Sequence, residues 1–275
     1  MHSHNHSTGR KLQISFWVTL VFIGVELAAG IRAQSLALLS DAGHNFTDAL
    51  ALGLAWFAFY LQSKPPNEIK TFGYHRAGVL SAFINATTLV LLAFYIFYES
   101  YLRFLNPREV HEGIMIVVAS GGLAVNIGIM WALHDHNDHD INIRGVFLHM
   151  FGDALSSVGI IVGAVFMANT HFLWIDPLLS VLIGVLILWS ARQIILDSLN
   201  ILLEGLPRGI TREEVCGAMT EVEGVVDIHD LHIWSLSPHS HALSCHALID
   251  DLPPSSSDVI LRDINDLLEQ KFRIR

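Results

Sequence analysis

Six long apolar runs constrain the fold of this sequence more than any other feature. A helix crosses the hydrocarbon core of a bilayer with about 20 mostly apolar residues. Short polar breaks separate six runs of at least that length, at 13–33, 36–62, 78–102, 113–133, 144–168 and 175–199. Because these runs read as spans joined by short loops, we expect a polytopic membrane domain of six antiparallel transmembrane helices.

Charged residues are unevenly distributed and divide the chain into parts. Only 15% of the 275 residues are charged, against about 25% in an ordinary soluble domain. Residues 13–203 hold the apolar runs, residues 207–275 have the composition of a soluble domain, and residues 1–12 form a polar, histidine-containing segment. The net charge of −10 does not favour nucleic-acid binding, which requires a basic face.

Lysine and arginine near the span ends predict the orientation. With a cytoplasmic N-terminus the inner side holds nine of them: Arg10, Lys11, Lys64, Lys70, Arg76, Arg144, Arg192, Arg208 and Arg212. The outer side then holds three: Arg32, Arg103 and Arg108. An even number of spans returns the C-terminus to the cytoplasm. Two cysteines, Cys216 and Cys245, are too few for a secreted disulfide framework, so we expect them to be reduced.

A polar phrase occurs twice inside apolar runs. His-x-x-x-Asp-Ala-Leu begins at His44 in the second run and at His149 in the fifth. Ionisable residues inside a span are costly and indicate a functional site by default. Residues i and i+4 share a helix face, so each phrase projects an imidazole and a carboxylate, that of Asp48 or Asp153, in one direction.

Two such helices facing each other predict a metal site. They supply two nitrogens and two oxygens, a tetrahedral set suited to Zn²⁺, and the same donors accept Co²⁺, Cd²⁺ or Fe²⁺. The alternative is a His–Asp hydrogen bond that joins helices, but its recurrence in two spans favours the metal site. Four further polar residues within spans are equally explained by packing or a water path and are not assigned as ligands: Glu26, Asp41, Asn85 and Asn126.

Several phrases resemble those of the cation diffusion facilitators, most closely the bacterial zinc, cobalt and cadmium resistance branch of that family. They lie at 35–48 (SLALLSDAGHNFTD), 71–76 (TFGYHR), 202–207 (LLEGLP) and 229–234 (HDLHIW). The resemblance implies a homodimer of six-helix subunits that exchanges metal for protons. It also places the transport site on the four residues found above: His44, Asp48, His149 and Asp153.

The resemblance implies further contacts, with two departures from the family pattern. A charge contact between subunits would fall on Arg76 and Glu204, although Arg76 is equally explained as a positive-inside anchor. Some members bind a second metal between spans two and three, where only His75 remains here, so we expect no site there. The family's cytoplasmic domain usually ends in another strand, and this sequence stops before it.

The C-terminal part predicts a small α/β layer. Thr211 to Glu214 form a capping box that opens a helix, residues 225–235 and 242–250 alternate as strands, and residues 256–272 form a second amphipathic helix. The order α-β-β-α corresponds to a ferredoxin-like domain without its last strand. On the second strand we expect a core face of four residues, with His246 on the other face: Leu243, Cys245, Ala247 and Ile249.

The histidines of this domain suggest a regulatory metal site. His229 and His232 have opposite parity, so one regular strand cannot aim both at the same ion. The resemblance favours His229 with His246, and His232 is the alternative. A solvated strand face with stacked imidazoles would explain the pattern equally well. Histidines at 2–6 and 134–140 could collect metal near an entrance or lie in solvated loops.

These features predict a secondary transporter of the bacterial inner membrane. It would export Zn²⁺, or Cd²⁺, Co²⁺ or Fe²⁺, in exchange for protons by alternating access, with no organic cofactor and no nucleic-acid partner. An intramembrane metalloenzyme would need an open ligand position and a general base such as that of His-Glu-x-x-His, and this motif is absent. A membrane-anchored cytosolic metal sensor is the other alternative.

Overall fold

The computed structural model describes residues 3–133, 141–238, 240–251 and 253–274. Within them the chain forms eight helices and two strands. The six long helices are α1 (Ser3–Ala33), α2 (Leu36–Gln62), α3 (Ala77–Leu105), α4 (Glu112–Leu133), α5 (Ile141–Thr170) and α6 (Ile175–Leu202). The C-terminal elements are α7 (Arg212–Thr220), β1 (Val225–Ser237), β2 (Ser240–Ile249) and α8 (Pro254–Phe272).

The long helices follow the apolar runs, with one difference at the start of the chain. Helix α2 has the predicted bounds, whereas α1 begins at Ser3, before the apolar run that starts at residue 13. Hydropathy measures which part of a helix suits lipid, and a helix can continue beyond that part into water. The helical segment therefore includes much of the N-terminal polar stretch.

Five of the described helices are long and apolar enough to cross a membrane: α1, α3, α4, α5 and α6. Helix α2 is not among these five because its polar residues, including His44 and Asp48, lower its mean hydropathy. At 27 residues it is nevertheless long enough to span. The membrane domain is thus established by five helices, and the sixth crossing stays a prediction.

The described residues fall into two units. The first comprises Met1–Leu52 and Thr87–Ala191, and the second comprises Gly53–Ala86 and Arg192–Arg275. In the first unit α4 packs against both α1 and α5. Gly122 permits the close approach of α1, because a Cβ atom there would lie 2.9 Å from the ring of Phe22. Large apolar side chains such as Trp131 and Trp189 are exposed, as expected for a surface that faces lipid.

The C-terminal part of the second unit has the predicted helix and strand order. Thr211 and Glu214 form the capping box of α7, and β1 pairs antiparallel with β2. The core combines residues of both helices and of β1 with one near the C-terminus, and β2 packs against it with partly buried side chains: Val215, Met219, Ile228, Leu231, Ile233, Ile260, Ile264, Leu268 and Ile274. Ile274 forms a parallel bridge with His241 on β2.

The predicted core face of β2 is correct at three positions and wrong at one. Leu243, Cys245 and Ile249 pack against the core. Ala247 has the same parity but is exposed. Alternation assigns a side chain to a face of the strand, but whether that face is covered depends on how far the packed helices extend.

Candidate metal centre

Helices α2 and α5 bring the two predicted His–Asp pairs together. The Nδ1 atom of His44 lies 3.6 Å from Oδ2 of Asp48, one helical turn away. Nε2 of His149 lies 3.4 Å from the same oxygen and 3.5 Å from Oδ2 of Asp153. The two imidazole rings have centroids 6.2 Å apart and are nearly perpendicular. All four predicted donors therefore meet in one place.

Three distances between neighbouring donor atoms are close to those of a tetrahedral site. Zinc bonds to nitrogen and oxygen are about 2.0–2.1 Å long, so ligand atoms around a tetrahedral ion lie about 3.3 Å apart. The observed separations of 3.4–3.6 Å are close to that value. Hydrogen bonds between these atoms would be shorter, at about 2.7–3.2 Å, so the spacing fits shared coordination better than direct pairing.

Two buried atoms at this position have no hydrogen-bond partner. They are Nδ1 of His44 and Oδ2 of Asp48. Leaving a buried polar atom unsatisfied costs about 1–3 kcal/mol, and a cation bound between these donors would remove that cost. The residue types and the unsatisfied atoms both fit a metal ion here.

The donors are close together but do not yet surround one point. Across the described part of the chain, no group of three or more His, Cys, Asp or Glu side chains could hold a metal ion as placed. Contacts run in a series from His44 through Asp48 and His149 to Asp153. An ion would replace these contacts after side-chain rotations, for which His149, the most exposed of the four at 41%, has room.

A cavity of about 470 Å³ adjoins these residues in the first unit. Its wall includes Asp48, His149 and Asp153. On α2 the lining residues run from Asn45 to Leu52. The rest of the wall comes from α1, α4 and α5: Phe16, Thr19, Leu20, Ile129 and Met150.

Other buried carboxylates of this unit have hydrogen-bond partners of their own. Asn45 donates to Glu26 over 3.2 Å, and Ser156 donates to Asp41 over 2.7 Å. Neither carboxylate belongs to the series of four donors. Sequence reasoning did not single out Asn45 or Ser156, because a hydroxyl or amide within a span gives no local sign of its partner.

Three histidines of the small sheet, His229, His232 and His246, lie on one exposed face. His229 pairs with His246, and their rings are 5.4 Å apart. The expectation that His229 and His232 lie on opposite faces of β1 is wrong, because the strand is not regular. A bulge at Asp230, which has φ of 55°, shifts the register so that His232 pairs with Ser244. Residues 244 and 246 share parity, so the bulge brings both histidines of β1 to the same face.

Carboxylates accompany these histidines. Nε2 of His232 lies 3.1 Å from Oδ1 of Asp230, and Nδ1 of His229 lies 3.9 Å from Oδ2 of Asp227. Both histidines are exposed. A regulatory ion on this face stays a prediction.

Arg76 and Glu204, predicted to form a contact between subunits, contact each other within one chain. Nη2 of Arg76 lies 3.1 Å from Oε1 of Glu204. Both line a cavity of about 930 Å³ that His75 and His232 also border. The contact between subunits stays a prediction. Of the two histidine-rich segments, His2 and residues 134–140 lie outside the described residues, as do the side chains of His4 and His6.

Comparison with known proteins covers almost the whole chain. The cation efflux transmembrane domain matches residues 12–203, and the cation efflux protein cytoplasmic domain matches residues 207–275. The chain is 41% identical over 274 residues to the cadmium, cobalt and zinc/H(+)-K(+) antiporter of Bacillus subtilis, covering 98% of this chain and 88% of that protein. It is 37% identical over 275 residues to the metal cation efflux system protein CzcD of Cupriavidus metallidurans, covering 99% and 87%. It is 36% identical over 283 residues to the zinc transporter ZitB of Escherichia coli, covering 99% and 90%.

Proposed function

Because the chain belongs to the cation efflux family, whose members are membrane transporters and not enzymes, we propose that it exports Zn²⁺ from the cytoplasm in exchange for protons. The observation that carries this proposal is the convergence of His44, Asp48, His149 and Asp153, with donor atoms 3.4–3.6 Å apart. Relatives named for zinc, cadmium and cobalt support the same cargo class. Cd²⁺, Co²⁺ and Fe²⁺ are chemically acceptable alternatives.

The proposed arrangement has six crossings and both termini in the cytoplasm, in a bacterial inner membrane. Helix α2 is the sixth crossing, and the excess of lysine and arginine on the inner side supports the orientation. In this orientation the 470 Å³ cavity faces the cytoplasm, since its lining includes the start of the apolar span of α1 at Phe16, the end of that of α4 at Ile129 and the start of that of α5 at His149. The site is thus accessible from the side where the cargo is loaded.

Competition for ligand atoms couples metal to protons. A metal ion requires neutral imidazoles and ionised carboxylates, so binding excludes protons from His44, Asp48, His149 and Asp153. After the site becomes accessible to the outer side, protonation of the imidazoles removes two ligands and releases the ion. Return of the protonated carrier moves protons inward, by alternating access around a central site.

The cytoplasmic domain is proposed to pair two subunits and to respond to metal. The family match to a cytoplasmic domain supports a homodimer, with Arg76 and Glu204 placed near the contact between subunits. His229 and His246, with His232 as the alternative ligand, would hold a regulatory ion that favours the transporting dimer. The ferredoxin-like assignment of this domain belongs to the same proposal.

Zinc flux into proteoliposomes under an imposed pH gradient tests the function. Uptake that follows the gradient in the parent protein, and is lost when both His44 and His149 are replaced by Ala, supports exchange through the membrane site. His171→Ala serves as the matched control, because this histidine of the same unit lies outside the donor set. Undiminished flux in the double variant would refute the shared-ligand mechanism, and no flux in the parent would favour the metal sensor.

A further inference from the structure

A buried ion pair lies where α3 ends and α6 begins, and neither of its residues lines the cavity. It joins Asp176, in the first turn of α6, to Arg103, in the last turn of α3. Their side chains are 1% and 6% exposed, with Nη1 of Arg103 3.0 Å from Oδ2 of Asp176. The cavity instead lies beside Phe16 to Leu20 of α1 and Asn45 to Leu52 of α2.

The Asp176 carboxylate accepts hydrogen bonds from the start of α2. Oδ1 accepts from the hydroxyl of Ser35 over 2.6 Å and from the amide of Ala37 over 3.1 Å. Oδ2 accepts from the amide of Leu36 over 2.8 Å. The first amides of a helix have no partner within it, and its positive end favours an anion. A carboxylate of α6 therefore caps α2.

Arg103 extends these contacts to the turn between α1 and α2. Its Nη1 atom also donates to the carbonyl oxygen of Gln34 over 2.5 Å. Gln34 has φ of 54°, a left-handed conformation that is uncommon for a residue other than glycine. The guanidinium also lies 3.6 Å from Glu99. We define Gln34, Ser35, Arg103 and Asp176 as the distal cluster.

The distal cluster adds contacts from other helices to a local cap of α2, in which the hydroxyl of Ser35 accepts from the amide of Leu38 over 3.2 Å. Helix α7 is capped by its own neighbouring residues, Thr211 and Glu214, so its cap can persist when the helix moves as a whole. Asp176 lies 140 positions from Leu36 in the chain. Movement of α2 away from α6 at this end would break three hydrogen bonds and expose a buried ion pair.

Helix α2 also carries two of the four proposed metal ligands. His44 lies seven positions after Ala37, which corresponds to about 10 Å along a helix. The same rigid element is thus fixed at the distal cluster and borders the cavity beyond the ligands. One part of α2 thus borders the cavity, and its first turn is held by the polar contacts of the distal cluster.

We propose that Asp176 and Arg103 are positioning residues of the transport cycle. They hold the first turn of α2 against α3 and α6. In this way they close the metal site towards the outer face while the cavity admits ions from the cytoplasm. This inference rests on the proposed function. It follows that the ion leaves to the outside only after α2 separates from Asp176. Removing one member of the buried pair leaves the other charge uncompensated, which favours separation.

Thiol labelling from the outer face tests this without any metal. Ala37 is fully buried, so a cysteine placed there by Ala37→Cys is protected while the distal cluster is intact. Cys216 and Cys245 are first replaced by Ser, and right-side-out vesicles are treated with a membrane-impermeant maleimide. Asp176→Asn should raise the labelling rate by about tenfold or more, because it removes the charge from several hydrogen bonds at once.

The matched control is Asp197→Asn, which removes an aspartate of the same helix. The Asp197 side chain is 40% exposed and pairs with Arg208, so its loss should leave labelling unchanged. Asp176→Glu keeps the charge and should restore much of the protection. Equal labelling in Asp176→Asn and its parent, or equal acceleration by the control, would overturn the inference.

A milder variant keeps the test valid if Asp176→Asn does not fold, as judged by gel filtration. Ser35→Ala removes the hydrogen bond from Ser35 to Asp176, together with the one that the same hydroxyl accepts from the amide of Leu38, and should raise labelling by about threefold. No acceleration in folded Ser35→Ala together with an unfolded Asp176→Asn would reduce the cluster to a purely structural role and overturn the proposal. Because labelling needs no zinc, a failure of zinc transport would leave this result intact, so the two hypotheses fail separately.

Discussion

Replacing Asp48 by Asn should weaken zinc binding more than any other change of equal size in α2. Oδ2 of Asp48 lies within 3.6 Å of His44 and 3.4 Å of His149, so this oxygen belongs to both imidazole contacts. Groups that merely support a ligand change metal affinity by about 10–100-fold. A direct ligand should exceed that range, so we expect a loss of more than about 100-fold, or ~2.8 kcal/mol at 1.4 kcal/mol per tenfold.

The assay is equilibrium zinc binding to purified protein in lipid nanodiscs. His229, His232 and His246 are replaced by Ala in every sample, so that binding reports the membrane site. Asp41→Asn is the matched control, since Asp41 is a buried carboxylate of the same helix that accepts a hydrogen bond from Ser156. The control should change affinity by about tenfold or less. Equal losses in both variants, or no loss in Asp48→Asn, would refute the ligand assignment.

Three further predictions concern the cytoplasmic domain. Thr211→Ala should destabilise it by about 1 kcal/mol in chemical unfolding, because the cap of α7 is lost, and Thr211→Ser should restore most of this. Ile264→Ala should lower the free energy of unfolding by about 2–5 kcal/mol, since Ile264 is in the core. The control Val259→Ala, at an exposed position of the same helix, should lower it by less than about 0.5 kcal/mol. Similar losses of stability in the two variants would contradict the core assignment. Burial, and to a smaller extent the neighbouring Cys216 thiol, raises the pKa of Cys245, so less thiolate forms at neutral pH. Cys245 should therefore react slowly with maleimide at neutral pH and faster as the pH rises. A reaction rate that does not change with pH would contradict this.

Much of the fold could be predicted because apolar length and local capping depend on neighbouring residues. Helix α2 has the predicted bounds, and the cap at Thr211 is present. The convergence of His44 with His149 could also be predicted, since a repeated i, i+4 phrase fixes which side chains share a face. The helix bounds thus follow from short-range patterns, and the donor set follows from a short-range phrase that occurs in two copies.

Features that depend on distant partners could not be predicted in this way. Asp176 stands at the start of the sixth apolar run, where a carboxylate is ordinarily solvated, yet it is buried against residues 140 positions away. The bulge at Asp230 changes which face His232 occupies, and strand alternation assumes that no such irregularity exists. The cavity beside Asp48 arises from the packing of four helices, for which the sequence carries no local signal.

X-ray absorption at the zinc edge tests the central claim most directly. The protein is loaded with one equivalent of Zn²⁺ after His229, His232 and His246 are replaced by Ala. The proposed site predicts four nitrogen or oxygen ligands at about 2.0–2.1 Å, with imidazole scattering that disappears when His44 and His149 are both replaced by Ala. A sulfur shell at about 2.3 Å would place the metal at Cys216 or Cys245. That result, or an unchanged spectrum in the double variant, would contradict the assignment of His44, Asp48, His149 and Asp153 as the transport site.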